Sequence, residues 1–152
     1  MVHSIMQHQE KVERGIGLIA TVNGIAAVLH FIFWTIVFLR LPRPWTVDAA
    51  AQRVDLIVTY GLGMADLLWS VPFLTIGSLW LRRRRLIGWI AAQMVNALYW
   101  YSFTFILVRE LSAQSIRLGT MLFLPFALFS PWAAWYLWKV RAAFWKPEAD
   151  CI

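Results

Sequence analysis

The chain has 152 residues, of which 61% are hydrophobic and only 14% are charged. A soluble domain is roughly 45–50% apolar and about 25% charged, so this composition excludes an ordinary soluble fold. The net charge is +6, but the basic residues sit at the ends of apolar runs, a pattern that serves membrane topology and anionic headgroups and not nucleic acid.

Taken in chain order, the sequence predicts four membrane helices, at residues 15–39, 56–81, 87–108 and 118–138. Each is long enough for the roughly 20 residues that cross a hydrocarbon core. A spanning segment must satisfy its own backbone in lipid, so each run is a helix. The expected fold is therefore an all-α membrane protein, a single domain over residues 1–152 with four antiparallel helices.

The first run follows a lead-in of mixed charge (Glu10, Lys11, Glu13, Arg14). It continues from Gly15 to Leu39, past the roughly 7–15 residues of a signal-peptide core, and reads as an uncleaved span. The loop after it opens Arg-Leu-Pro-Arg-Pro-Trp, and residues 46–55 are expected to form a short interfacial helix. Pro72 in the second span, and Pro125 and Pro131 in the fourth, each remove a backbone donor and predict kinks. The second and third spans form a tight hairpin around Arg82–Arg85.

One side of the predicted topology carries Lys11, Arg14, Arg82, Arg83, Arg84, Arg85, Lys139, Arg141 and Lys146. The other carries Arg40, Arg43, Arg53, Arg109 and Arg117. The richer side is cytoplasmic by the positive-inside rule, which places both termini inside a cell membrane. Trp45, Trp80, Trp89, Trp138 and Trp145 lie near predicted boundaries, as interfacial anchors do. Cys151 is the only cysteine, so no internal disulfide forms.

Few strongly polar side chains enter the spans: Asn23, His30, Asp66, Gln93 and Asn96. Asp66 is the most informative. A carboxyl group at that depth is costly, faces protein or a water-filled cavity, and marks a functional site by default. Counting about 1.5 Å per residue from the second side, His30 lies at roughly 14 Å, Asp66 at roughly 16 Å, and Asn96 and Ser130 at roughly 18 Å. The helical stripe through Asp66 holds Thr59, Gly63, Ser70 and Gly77, small and polar as interhelical faces in membranes are. The stripe through His30 holds Asn23, Ala27 and Trp34, and that through Asn96 holds Trp89, Gln93 and Trp100.

The expected ligand site is therefore Asp66, His30, Asn96 and Ser70, with the deep Trp69 and Trp100. A bland reading stands beside it: His30 and Asp66 satisfy each other and only fix helix register, with the amides as interhelical glue and the tryptophans as packing. No Cys/His cluster supports a metal, no second in-span histidine supports haem, and no nucleotide fingerprint occurs, so no cofactor is expected.

Three functions fit. The first is binding or transport of a small apolar or amphipathic molecule. The second is an intramembrane acid–base enzyme with Asp66 and His30 as the proton-moving pair. The third is an accessory subunit contacting a second copy of the chain or another membrane protein. Membrane lipids are partners in all three.

Asp66 precedes Pro72-Phe73 in the second of four helices, and Leu41-Pro42 follows the first. In these scattered positions the chain resembles the EXPERA membrane proteins, which include sterol isomerases. The resemblance implies a pocket for sterol-like or cationic amphipathic ligands. The family uses a second membrane acid, and none lies inside the four predicted spans here, which weighs against catalytic transfer.

Overall fold

The computed structural model describes residues 2–116 and 118–145, with no side-chain description for residues 2–5, 8 and 118. Cys151, Lys146 and Arg117 lie outside the described residues, as do the side chains of His3 and His8.

The described chain is all helical: α1 (Val2–Arg40), a 3-10 turn (Pro44–Thr46), α2 (Ala50–Ala65), a π turn (Asp66–Ser70), α3 (Val71–Arg82), α4 (Leu86–Ala113), α5 (Leu118–Lys139) and a last 3-10 turn (Arg141–Phe144). Among the described residues four helices are long and apolar enough to cross a membrane, with α2, the π turn and α3 acting as one segment, Ala50–Arg82. Large apolar side chains such as Leu18, Phe31, Leu79, Tyr101 and Trp135 face outward. An apolar exterior of this extent is stable in lipid and a liability in water.

Three boundaries differ from the sequence expectation. The separate interfacial helix over residues 46–55 does not form; helix starts at Ala50 and continues into the second span. Once a helix is nucleated, each added residue contributes a backbone bond, so a polar first turn is absorbed into the span. α1 begins at Val2, far before residue 15, carrying the Arg14–Glu10 pair at i, i+4 spacing. α4 runs to Ala113, which puts Arg109 and Glu110 on helix and not in loop. Its end is capped by Gln114 at φ 47°, whose N–H reaches the Glu110 and Leu111 carbonyls.

Pro72 acts through the turn before it. A proline at position 72 supplies no N–H to the carbonyl four residues back. The chain widens by one residue instead, and the Val71 N–H bonds to the Asp66 carbonyl. Such π turns are frequent at functional sites, and Asp66 is the first residue of this one. In the fourth span, by contrast, α5 continues through both Pro125 and Pro131.

Small residues set the packing of α3 against α1 and α4. A Cβ on Gly77 would meet Asn23 Nδ2 at 3.0 Å and the Ala92 backbone at 3.5 Å; one on Gly24 would meet Ser78 Oγ at 2.8 Å. The α3–α4 turn is tighter still. A Cβ on Gly88 would lie 2.4 Å from the Leu81 nitrogen and the Trp80 carbonyl carbon, and Arg84 takes a left-handed φ of 52°. Ile16, Ile19, Ala20, Leu81, Ala92, Ala133, Leu137 and Phe144 form one buried cluster near this turn. α3 packs closely on α1 and α4, whereas α2 stands away from α4 and α5.

Cations sit over the indoles at the helix ends. Arg83 and Arg85 lie 5.2 and 4.9 Å from the Trp80 ring, Lys139 lies 5.3 Å from Trp135, and Arg141 lies 5.1 Å from Trp138. A guanidinium or ammonium over an indole places the charge toward water and the ring among lipid.

A candidate ligand cavity around Asp66

Because α2 stands away from α4 and α5, the end of the molecule opposite the α3–α4 turn holds a cavity of about 200 Å³. Each wall is one helical stripe at three- and four-residue spacing. α1 contributes His30, Phe33, Trp34 and Val37, with Leu41 just past its end; the second span contributes Thr59, Leu62 and Asp66; α4 contributes Ser102, Ile106 and Arg109. α5 closes it with Gly119, Thr120, Leu122 and Phe123. From His30 to Leu41 the α1 wall rises about 16 Å. The walls are mostly apolar with a few convergent polar groups, which is the usual form of a small-molecule site.

Asp66 is held from two helices. Trp34 Nε1 donates to Oδ2 at 2.8 Å, and Ser70 Oγ donates to Oδ1 at 2.8 Å. Gly63 makes the first bond possible: a Cβ there would lie 2.5 Å from the Trp34 ring and 2.6 Å from that of Phe38. Phe38 in turn stacks on Tyr60, at 5.1 Å between centroids, locking α1 against α2 above the acid. A carboxyl group has about four acceptor positions, so two donors leave it capacity for more.

A narrow cleft continues from Asp66 past Ser70, Tyr99, Ser102 and Phe123. His30 packs there among aromatic rings, with centroids 5.7 Å from Tyr99, 5.8 Å from Phe123 and 6.2 Å from Phe126. His30 Nδ1 and the Tyr99 hydroxyl are both buried without a hydrogen-bond partner. The simple brace, in which Asp66 and His30 satisfy each other, is therefore not what the acid's two bonds describe: its donors are Trp34 and Ser70.

The expected site residues divide. Asp66 and His30 line the cavity, and Ser70 lines the cleft that extends it. Asn96 does not: it is buried, and its Nδ2 donates to Gln93 Oε1 at 3.3 Å, while Gln93 Nε2 donates to the Ala134 carbonyl at 3.2 Å. With Trp89 Nε1 donating to the Leu137 carbonyl at 2.9 Å, these residues stitch α4 to α5. Ser130, also buried, donates to the Ala127 carbonyl at 2.9 Å on its own helix. Trp69 is 59% exposed and stacks on Phe73, and Trp100 is 44% exposed against Phe103; neither lines the cavity.

Sequence reasoning did not place Ser102, Thr120, Phe123 or Arg109 here. A signal was present in α4: Tyr99, Ser102, Ile106 and Arg109 follow one another at steps of three, four and three, one face of a helix. Ending the third span at residue 108 hides only its last member, Arg109; Tyr99, Ser102 and Ile106 lie inside that span. The same truncation hid a second acid. Glu110 is 5% exposed, and the Thr120 hydroxyl of α5 donates to it. Among the described residues no three His, Cys, Asp or Glu side chains gather as a metal site would need.

Comparison of the chain with known protein families, with curated proteins and with solved structures returns no match, so the likeness to EXPERA proteins rests on its few residues alone.

Proposed function

We propose that this chain is a multi-pass protein of the cell membrane that binds or transports a small apolar or amphipathic molecule. Its four helices form an antiparallel bundle with both termini cytoplasmic, as the bias of nine Lys and Arg on one side against five on the other favours. One observation carries the ligand reading. Asp66, fixed by Trp34 and Ser70, faces a largely apolar cavity of about 200 Å³ instead of being used up in a charge pair. Such a group orients an ammonium or hydroxyl head while the apolar walls take the rest. A volume below the roughly 300–1,000 Å³ usual for drug-sized ligands favours a slim molecule or a single chain.

The test is native mass spectrometry of the protein extracted in mild detergent, followed by titration with an alkylamine. A defined small adduct is expected, and Asp66→Asn lowers alkylamine affinity by about tenfold or more, since a charge-assisted bond contributes about 1.5–3 kcal/mol. Asparagine keeps an acceptor for the Trp34 N–H, so the fold persists. Bulk lipid alone, with titration unchanged in the variant, would overturn the reading.

The unpartnered His30 Nδ1 and Tyr99 hydroxyl beside Asp66 favour a second reading, an acid–base enzyme that moves a proton on a lipid-like substrate. Turnover of such a substrate lost in both Asp66→Asn and His30→Gln would select it, and binding without turnover would remove it.

A further inference from the structure

The cavity has a second polar end, and nothing in the proposed function uses it. Arg109 lines the wall contributed by α4, seven residues beyond Ser102, so it stands about 10 Å along the helix from the level of Asp66. Its Nε is buried without a hydrogen-bond partner. The nearest carboxyl in sequence does not answer it from the same face: Glu110 is turned by about 100° and engages Thr120 on α5. Asp66 does not answer it either, because its bonds run to Trp34 and Ser70 and the apolar Leu62 and Ile106 line the wall between. An arginine on a cavity wall whose Nε is buried and unpartnered is satisfied by a ligand that offers it anionic oxygens.

Resting on the ligand reading above, we propose that the cavity has two poles. Asp66 takes a hydrogen-bond donor and Arg109 takes an anionic oxygen group, so the ligand is a slim amphiphile bearing an ammonium or hydroxyl at one end and a carboxylate or phosphate at the other. The apolar segment between spans about 10 Å, the seven-residue rise from Thr59 to Asp66 on one wall and from Ser102 to Arg109 on the other. The order of the poles is fixed. The donor end sits deep, beside His30 and the π turn, and the anionic end sits at the helix ends that carry Leu41 and Gly119.

The experiment is calorimetric titration of the full chain in a neutral detergent with octylamine, octanol, octanoate, octyl phosphate and ω-aminooctanoate. In the wild type an anionic probe binds about tenfold or more tightly than octanol, and ω-aminooctanoate binds most tightly. Arg109→Gln removes the advantage of the anionic probes without weakening octylamine, Arg109→Lys restores part of that advantage, and Asp66→Asn removes the advantage of octylamine without weakening the anionic probes. If octylamine binds through Asp66 but neither anionic probe exceeds octanol, the second pole is overturned and the ligand reading stands. If no probe binds, both fall. The wild-type comparison needs no variant, so a poorly folding substitution does not obscure the outcome.

Discussion

The two ends of this molecule solve opposite problems with the same four helices. Around the α3–α4 turn the helices approach until glycine and alanine are required, an apolar cluster fills the space between them, and the unpartnered Nδ2 of buried Asn23 is packed at Gly77. At the far end α2 stands apart, the widened π turn begins at Asp66, and buried polar atoms of His30, Tyr99 and Arg109 are unpartnered around a cavity. The lesson is that lipid supplies little drive to close helices together, since tails are as apolar as leucine. Contact is made where small residues permit it, as Gly88 does at the turn and Gly63 does between α2 and α1. The cavity lies where α2, held to α1, stands away from α4 and α5.

That contrast can be broken most strongly at the closed end. Gly88→Val pushes new carbons into the Leu81 and Trp80 backbone, which cannot yield as a side chain would. Overpacking typically costs about 1–3 kcal/mol, and more against backbone. Gly88→Val is expected to shift size-exclusion profiles toward aggregate and to lower the thermal midpoint the most of any single change named here. A wild-type profile and midpoint would show that the closed end is not tightly packed.

A smaller effect is expected where the open end is tied. Thr120→Val removes the hydroxyl that donates to the buried Glu110. Loss of a hydrogen bond to such a group costs about 1–3 kcal/mol. The fall in thermal midpoint should be accompanied by weakened ligand binding, because Thr120 also lines the cavity. A variant that loses stability but binds normally would separate the tie from the site.

The smallest change tests the lipid-facing surface. At Gly17 and Gly61 a Cβ would project into open space, with no heavy atom within 4 Å. Alanine at either site should therefore raise stability by about 0.5–1 kcal/mol through reduced backbone freedom, read as a higher midpoint in detergent melts. Destabilisation by either would reveal a close partner, such as a second copy of the chain, against that face.

Much of the site is legible in the sequence. Asp66 and His30 stand out because polar groups at membrane depth are expensive, and counting residues puts them at one level. Asn96 and Ser130 share that level without sharing the cavity, because depth fixes one coordinate and leaves the facing direction open. Trp69 and Trp100 mislead for a related reason: an indole fits lipid as well as it fits a pocket. Arg109 and Glu110 are obscured by a boundary drawn where hydropathy falls, although the helix continues past it.

The sequence by itself determined that this protein has four helices long and apolar enough to cross a membrane, and that an acid lies deep in the second. Both follow from hydropathy and length, which are local properties of the chain. Only the tertiary structure decided that Trp34 and Ser70 hold that acid, that α4 brings Arg109 to the same cavity, and that Asn96 belongs to the seam between α4 and α5. Those outcomes depend on how far each helix rotates and separates from its neighbours. Rotation and separation are set by contacts such as Gly63 against Trp34 and Gly77 against Ala92, between residues far apart in the chain.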